Sequence, residues 1–359
     1  MSTCIAGERN FVSNEYYTFG SADDFTVAVE LADLDQDGDL DAIVVNGRHW
    51  ARQDRVMYNN GLGRFLTAVP LGRTLATGYR PAIADLNGDG STDIVVARDR
   101  VPSHIFLNNG EGSFDDMGPV GPVGPTRAVL ATDVNLDDHP DLIFSLRDEP
   151  NQILFGPSFE DSYVFERADH TVRVASADLN GDRFPDLVFA DISSDGNLIA
   201  LNDGHGKFPH SIRTDSRFGP SVDVAIGDMN GDGRPDIVFA SIGTNSIFLN
   251  DETQSFRDVI RFGNENDRSF GIALDDLNND GRIDIVIANA GSPNVIYWNT
   301  DSGFVPEILD EDPSAMSYGV STGDLDGNGF PDLVFANSGS MSRVYLNVSD
   351  SEKETALNR

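Results

Sequence analysis

The chain has 359 residues, of which 39% are hydrophobic, so it can bury a large core and is too apolar for an intrinsically disordered protein. Its formal net charge of −34 at pH 7 argues against nucleic acid or an anionic membrane surface as a partner. No apolar run approaches the roughly 20 residues that cross a bilayer, Met1–Asn10 contains no apolar signal-peptide core, and the single cysteine, Cys4, excludes an internal disulfide.

One acidic loop recurs seven times along the chain. In the second copy, Asp85–Asp93, oxygen-bearing side chains stand at loop positions 1, 3, 5 and 9, a glycine stands at position 6, and the mostly β-branched run 94–97 follows. The loops begin at residues 33, 85, 133, 178, 228, 276 and 324, which are 45 to 52 residues apart. A period of this length is typical of solenoids, propellers and other repeat arrays.

Each repeat contains the signals of four short strands. In the second repeat, the segment 80–84 leads into the loop, the run 93–97 follows it, a third run ends at Asn108, and a glycine-rich turn precedes a fourth run that starts at Phe114. These runs are short, rich in β-branched residues and bounded by Gly, Asn and Asp, and the sequence shows no helical periodicity. Four strands in about 48 residues are typical of one propeller blade.

The two ends of the chain complement each other. The seventh repeat stops after its third strand, at Asn347, and the fragment 7–12 before the first repeat matches the start of a fourth strand. We therefore predict an all-β fold, a seven-bladed β-propeller of four-stranded blades that is closed by the N-terminal strand completing the last blade. Residues 1–349 form this single domain in the prediction, and residues 350–359 form a flexible C-terminal tail.

The segments around the sixth and seventh loops, 270–281 and 318–332, resemble FG-GAP/VCBS repeats, the blades of integrin-α-like and many bacterial secreted propellers. The resemblance implies calcium in the loops that join first and second strands, up to seven structural ions in all. It also implies a location outside the cell, in the periplasm or on the cell surface, although no leader is visible and a cytoplasmic location stays open. It implies no single activity.

The composition of the loops itself suits calcium, which takes six to eight oxygen ligands. Position 6 needs a left-handed backbone, and Asp138 and Arg183 replace glycine there in the third and fourth loops, so calcium binding by these two loops stays open. The alternative is a set of Asx-turns in which the carboxylates only accept backbone N–H groups, but clustered carboxylates repel one another unless they are neutralised. The predicted metal-binding residues, some of them through a main-chain carbonyl at position 7, are Asp33, Asp35, Asp37, Asp39, Asp41, Asp85, Asn87, Asp89, Ser91, Asp93, Asp133, Asn135, Asp137, Asp141, Asp178, Asn180, Asp182, Asp186, Asp228, Asn230, Asp232, Arg234, Asp236, Asp276, Asn278, Asp280, Arg282, Asp284, Asp324, Asp326, Asn328, Phe330 and Asp332.

The turns and strand starts on the face opposite the acidic loops carry an uneven set of side chains. The turns of repeats 5 to 7 contain only uncharged and mostly small residues there, whereas those of repeats 1 to 3 carry Arg, His and Trp. Guanidinium groups bind carboxylate or sulfate, and aromatic faces stack on sugar rings; alternatively, these arginines only pair with nearby acidic residues. The predicted ligand-binding residues are Arg48, His49, Trp50, Arg80, Arg98, Arg127, Arg147, Arg173, Asp223, Phe270 and Tyr318.

The sequence favours a calcium-binding propeller, monomeric, whose channel face binds an acidic or sulfated glycan, or otherwise another anionic small molecule or a protein partner. The alternative is an enzyme on the same face, either a polysaccharide lyase that works by β-elimination or a biosynthetic enzyme that acts on an anionic substrate. Its catalytic residues would come from His49, Tyr79, Arg80, Arg127 and Tyr318. The sequence does not decide whether the protein is an enzyme.

Overall fold

The computed structural model describes residues 9–193, 195–215, 217, 220–251, 253–309 and 316–358. Within these residues the regular structure is almost entirely β-strand, with a short 3₁₀ turn at Ala22–Asp24 and one short helix, α1 (Lys353–Asn358), near the C-terminus. No helix of the described residues has the length and apolar content that a bilayer crossing would require.

The strands follow the repeats in chain order. The first repeat is preceded by β1 (Arg9–Val12) and β2 (Thr18–Phe19) and contains β3 (Thr26–Ala32), β4 (Asp41–Asn46), β5 (Arg55–Asn59) and β6 (Phe65–Pro70). The second contains β7 (Gly78–Ala84), β8 (Asp93–Arg98), β9 (Ser103–Asn108) and β10 (Phe114–Val120). The third and fourth contain β11 (Thr126–Thr132), β12 (Asp141–Leu154), β13 (Ser162–Ala177), β14 (Asp186–Asp191), β15 (Leu198–Leu201) and β16 (His210–Arg213). The fifth contains β17 (Ser221–Gly227), β18 (Asp236–Ser241), β19 (Asn245–Phe248) and β20 (Val259–Phe262). The sixth contains β21 (Ser269–Asp275), β22 (Asp284–Asn289), β23 (Val295–Thr300) and β24 (Gly303–Ile308), and the seventh contains β25 (Ser317–Gly323), β26 (Asp332–Asn337) and β27 (Ser342–Ser349).

The described strands form six sheets, so the prediction of seven separate four-stranded blades is wrong. Four sheets have four antiparallel strands, but β11 to β16 form one sheet of six, which the third and fourth repeats share. The physical reason is the length of β12 and β13, which have 14 and 16 residues. The first part of β12 pairs with β11, its second part pairs with β13, and β13 runs on to pair with β14, so the hydrogen-bonded ladder is not broken between these repeats.

The inner strands form a closed ring around a central channel. Going round the ring, β3 neighbours β7, β7 neighbours β11, β11 neighbours β13, and β17, β21 and β25 lead back to β3. Because β11 and β13 belong to one sheet, six sheets surround the channel and one of them contributes two inner strands. The fold is therefore an all-β propeller.

The N-terminal strand closes the ring as predicted. Strand β1 pairs antiparallel with β27, from Arg9 opposite Ser349 to Val12 opposite Leu346, and so lies at the outer edge of the last sheet. Strand β2 also pairs with β27, which makes this sheet five-stranded. Residues 7 and 8 of the predicted fragment lie outside the described residues.

Part of the predicted C-terminal tail forms helix α1, which contacts the closing sheet. Helix α1 packs against the closing sheet because Ala356 is buried in the same apolar cluster as Val12 and Tyr17. The Tyr17 hydroxyl donates a hydrogen bond to the Ala356 carbonyl (3.0 Å), and Asn14 Nδ2 donates one to the Leu357 carbonyl (3.1 Å). These contacts tie the two ends of the chain together.

Burial explains the apolar pattern of the strands. The second strand of most repeats, for example β26, is buried at every residue because both of its faces pack against neighbouring repeats. Such strands therefore read as continuous apolar runs instead of alternating ones. The outer strand β24 is exposed at most positions, since one face meets solvent. The core consists of apolar clusters between consecutive repeats, and the channel lies inside the ring of inner strands.

Candidate functional site

All seven acidic loops adopt one conformation. In each loop the carboxylate at position 1 accepts a hydrogen bond from the N–H of position 6, with distances of 2.7–3.1 Å. The residue at position 6 is left-handed throughout, including Asp138 (φ 69°) and Arg183 (φ 80°), which replace glycine. The two departures in sequence therefore do not change the loop.

The aspartate at position 9 fixes each loop to the third strand. In the second repeat, one oxygen of Asp93 accepts the Leu86 N–H of its own loop (2.9 Å) and the other accepts the Asn108 N–H at the end of β9 (2.8 Å). The same pair of bonds recurs in the other six repeats. Each carboxylate oxygen keeps a second lone pair, so these bonds leave room for a cation.

An asparagine at the end of the third strand joins six of the seven repeats to the preceding one, a role that the sequence did not indicate. Asn108 Nδ2 donates a hydrogen bond to the Leu34 carbonyl in the acidic loop of the first repeat (2.8 Å). We call this contact the asparagine latch; it recurs at 2.7–2.9 Å from Asn59, Asn202, Asn250, Asn299 and Asn347. The available signal was the recurrence of Asn at this one position of the repeat.

The third repeat has no asparagine latch. Gly156 occupies the equivalent position and donates its N–H to Asp141 (2.9 Å), but it has no side chain to reach the loop of the second repeat. A Cβ atom added to Gly156 would lie 2.4 Å from the Pro140 carbonyl oxygen, so no larger residue fits without a shift of the backbone.

The first loop has a donor set that fits a hard cation. Carboxylate oxygens of Asp33, Asp35 and Asp41 lie within 4.8 Å of one another. One oxygen each of Asp33 and Asp35 is buried without a hydrogen-bond partner among the described residues. Burial raises the pKa of Asp41 to about 7 although two backbone N–H groups oppose it, and the charges of Asp35 and Asp37 raise it further. Such a cluster of oxygens calls for a positive charge between them.

The other loops divide into two groups. In the seventh loop, Asp324, Asp326 and Asp332 place their oxygens as in the first loop, within 4.8 Å. In loops two to six, the asparagine at position 3 donates to the aspartate at position 5, at 2.8–3.3 Å. The guanidinium groups of Arg234 and Arg282 also contact that aspartate in loops five and six. Protein donors thus partly neutralise position 5 in these five loops, and the fit to a cation is best in loops one and seven.

A cavity of about 100 Å³ lies at the end of the channel opposite the acidic loops, where the inner strands begin. We call it the mouth cavity. Eight residues that the sequence singled out line it: Arg48, His49, Tyr79, Arg127, Arg147, Arg173, Phe270 and Tyr318. The remaining wall is aliphatic, formed by Val27, Val172, Ile192 and Val222. The structure therefore brings together side chains from six repeats that are far apart in sequence.

A bulge in every inner strand presents side chains to the mouth cavity. In six inner strands the register with the second strand shifts around the second residue, for example between Thr126 and Ala128. In the longer β13 the equivalent shift lies further along, between Thr171 and Arg173. The bulged residue, such as Arg127, leaves the ladder, and bulges of this kind redirect a side chain.

The arginines of the mouth cavity differ in their partners. The Arg48 guanidinium lies over the ring of Tyr318 (4.0 Å to the centroid) and near that of Phe270 (5.1 Å). Among the described residues no carboxylate lies within 4 Å of it. Arg127 lies over the Tyr79 ring (4.4 Å) and pairs with Asp99 (2.8 Å). Arg48 thus contributes a positive charge that no ion pair of the described chain balances.

Two titratable side chains of the cavity have pKa values that differ from their ordinary ones. Burial, followed by the charges of Arg48 and Arg127, lowers the pKa of His49, so its imidazole is neutral at pH 7. Burial raises the pKa of Tyr79 although Arg127 opposes the shift, so its phenol keeps its proton.

Arg80 and Asp223, which the sequence placed at the mouth, lie deeper in the channel. Arg80 pairs with Glu30 (2.9 Å) and with Asp223 (3.1 Å), and Asp223 also faces Arg173 (3.3 Å). We call these four side chains the channel network. Although burial opposes it, the charges of Asp223 and Glu30 raise the pKa of Arg80, whereas burial lowers that of Arg173 to about 10. Both arginines are charged at neutral pH.

Two further predicted ligand residues also lie outside the mouth cavity. Arg98 is buried between the first two repeats, where its guanidinium lies 5.8 Å from the Phe106 ring centroid. Burial lowers the pKa of Arg98, and the charge of the buried Asp54 opposes this shift. Trp50 is 61% exposed on the outside of the rim.

Comparisons with known proteins agree with the repeat architecture. A family profile described as FG-GAP-like repeat matches residues 33–96, 85–144, 178–239, 228–287 and 276–335. The stretch between these matches, 145–177, is the one in which β12 and β13 join the third and fourth repeats into one sheet. A comparison with curated proteins finds no match.

Solved structures share the fold. BBS1N in complex with ARL6DN, soaked with lead, aligns with a TM-score of 0.60 at 11% identity and covers 94% of this chain and 96% of its own. The mercury-soaked form of that complex gives 0.63 at 9% identity, covering 94% and 97%. An Agrocybe aegerita lectin, described as recognising non-reducing terminal N-acetylglucosamine, gives 0.56 at 19% identity, covering 88% and 86%. At these identities the likeness shows the fold alone.

Proposed function

The chain belongs to the FG-GAP-like repeat family, and from its geometry we propose that it is a calcium-binding propeller that binds an acidic or sulfated glycan in the mouth cavity. The observation that carries this proposal is the convergence of Arg48, Arg127, Arg147 and Arg173 with three aromatic rings on one cavity. This convergence occurs in a chain whose net charge is −34.

Charge supports an anionic ligand. Arg127 is paired with Asp99, Arg147 lies 3.8 Å from Asp148, and Arg173 shares Asp223 with Arg80. Arg48 instead lies over the Tyr318 ring and forms no ion pair among the described residues. An anion that enters the cavity can therefore form a charge-assisted hydrogen bond to Arg48 without displacing a protein carboxylate. Guanidinium groups suit carboxylate and sulfate because two parallel N–H donors match two oxygens.

The uncharged side chains of the cavity wall favour a sugar as the ligand. Tyr79, Phe270 and Tyr318 line the cavity, with Arg127 over the first ring and Arg48 over the last, and aliphatic side chains complete the wall. Sugar rings have an apolar face that packs against aromatic side chains, while their hydroxyl groups need polar partners. The lectin of similar fold favours a glycan as the ligand, and the complex of BBS1N with ARL6DN favours the alternative, a protein partner.

Calcium would be held by the acidic loops, foremost by Asp33, Asp35 and Asp41 in the first loop and the equivalent residues of the seventh. When bound, it supplies positive charge to a cluster of carboxylates. Binding to the folded state alone stabilises that state, so a chelator should lower the melting temperature and calcium should restore it. Magnesium is the control cation, because it resists transfer into an all-protein site. A melting curve unchanged by excess chelator would refute this part of the proposal. A propeller of this kind suits compartments rich in calcium, outside the cell or in the periplasm.

The glycan proposal is tested by calorimetry with uronate-containing and sulfated oligosaccharides. Arg48→Ala should weaken binding about 10- to 100-fold, as expected for the loss of one charge-assisted hydrogen-bonded contact. The matched control is Arg343→Ala, which removes an exposed arginine of β27 outside the cavity and should leave binding unchanged. Equal effects of the two variants, or binding of acidic peptides but of no acidic sugar, would contradict the proposal.

One observation favours an enzyme as the second candidate. The neutral imidazole of His49 lies in a cavity rich in arginine, where it can accept the proton that a β-elimination removes beside a uronate carboxylate. Tyr79 is less suited as the base because its pKa is raised. Formation of the unsaturated uronate product, lost in His49→Ala, would establish a lyase, whereas binding without product favours the glycan-binding module.

A further inference from the structure

The mouth cavity has a closed floor. Arg173 lines the mouth cavity and also a deeper cavity of about 350 Å³, whereas Glu30, Arg80 and Asp223 line the deeper cavity only. The channel network therefore lies between the two cavities and separates them.

The network spans the channel from one side of the ring to the other. Arg80 comes from β7 in the second repeat and Asp223 from β17 in the fifth, yet their side chains are 3.1 Å apart. Asp223 is 1% exposed and accepts a further hydrogen bond from the Ile272 N–H of the sixth repeat (3.3 Å). The equivalent positions of the other inner strands carry only alanine or glycine, at residues 28, 128, 271 and 319.

The size of the cavity limits what it can hold. Its volume of about 100 Å³ is below that of the ~150 Å³ cavity in which a single benzene ring binds. The cavity therefore holds the acidic group and only part of the sugar ring that carries it. In an internal residue the chain continues in two directions, and both would have to leave through the same mouth.

From these observations we propose that the mouth cavity takes the acidic group of the residue at the end of a glycan chain and does not accept acidic residues in the interior of the chain. This inference rests on the proposed function and specifies its ligand. The acidic group meets Arg48 and its neighbouring arginines, and the chain leaves through the mouth.

The exposed rim indicates where the second sugar lies. Trp50 follows the cavity residues Arg48 and His49 in a tight turn, in which its N–H donates to the Gly47 carbonyl (2.6 Å). Its ring is 61% exposed, and Leu75, 62% exposed, lies on the neighbouring segment that pairs with Arg52 through Ala76. A sugar that leaves the cavity on this side can stack on Trp50.

The experiment compares two tetrasaccharides of equal composition, one with glucuronate at a chain end and one with glucuronate only inside and neutral sugars at both ends, together with free glucuronate. We expect the first tetrasaccharide to bind at least about tenfold more tightly than the second, and free glucuronate to compete with it. Trp50→Ala should weaken the terminal tetrasaccharide but not free glucuronate, and Arg343→Ala should change neither.

The outcomes distinguish a failure of terminal recognition from a failure of glycan binding. Equal affinity for both tetrasaccharides overturns terminal recognition and leaves the glycan-binding proposal standing. Binding of neither tetrasaccharide nor free glucuronate, in protein with an unchanged melting temperature, overturns the proposed function and this inference with it.

Discussion

Replacing one asparagine latch tests whether contacts between neighbouring repeats hold the ring together. We choose Asn202→Ala because this side chain is buried and makes four hydrogen bonds. Its Nδ2 donates to the carbonyl of Val134 in the preceding repeat (2.8 Å) and to that of Pro185 (2.9 Å). Its Oδ1 accepts the N–H groups of Gly204 (3.0 Å) and Gly206 (3.2 Å).

The expected loss follows from these four bonds. A buried hydrogen bond contributes about 0.5–1.5 kcal/mol net, so the four together give roughly 2–6 kcal/mol. Gly204 is partly exposed and can recover a bond to water, so we expect the lower half of this range, about 2–4 kcal/mol. The largest share comes from the Val134 carbonyl, which is left buried without its donor.

Urea unfolding in saturating calcium measures this loss, because saturation removes differences in cation binding between the proteins. The control is Asn266→Ala, which removes an exposed asparagine in the turn before β21 and should change the free energy of unfolding by less than about 0.5 kcal/mol. If Asn202→Ala and Asn266→Ala lower stability equally, the latch does not stabilise the ring.

Two further changes test charges inside the propeller. Burial raises the pKa of Asp54 to about 7 from its ordinary value of 3.8, so the folded chain holds a proton that the unfolded chain has released. This stabilisation is complete below about pH 4 and is lost as the pH rises through 7, with a slope of at most about 1.4 kcal/mol per pH unit; urea unfolding across this range should show a slope that is smaller by up to this amount in Asp54→Asn, because other buried aspartates such as Asp41 still contribute. Arg80→Ala should lower the free energy of unfolding by about 2–4 kcal/mol at pH 7, because it leaves Glu30 and Asp223 without their shared cation, and a thermal melt matching that of Arg343→Ala would contradict this role.

The repeat and its loops could be predicted from the sequence because each signal recurs seven times. The left-handed backbone at position 6 is one example, and it holds even for Arg183. The fusion of the third and fourth repeats could not be predicted in the same way. The stretch from Arg147 to Pro150 has the polar composition of a turn, yet it continues the ladder between β12 and β13 through two register shifts.

The candidate site was predicted in part for a related reason. Arg127 and Arg80 have the same chemistry and lie one position apart in their inner strands, so the sequence treats them alike. The bulge exposes Arg127 to the mouth cavity, while Arg80 lies one residue further along, where the side chain points into the channel and pairs with acids from two other repeats. No local pattern reveals that Arg80 and Asp223, 143 residues apart, would meet.

The glycine at position 156 leaves one junction of the ring without a side-chain hydrogen bond to the preceding acidic loop. Every other described junction between neighbouring repeats has an asparagine latch. Beside the acidic loop of the second repeat, the junction with the third repeat has apolar packing in its place, and the Arg127–Asp99 ion pair joins these repeats only at the opposite face. On its other side, the third repeat is joined to the fourth by a continuous hydrogen-bonded sheet. Thermal opening of the circle should therefore begin at this joint, and amide protons of Leu86 and its neighbours should exchange with solvent before those of the equivalent loops.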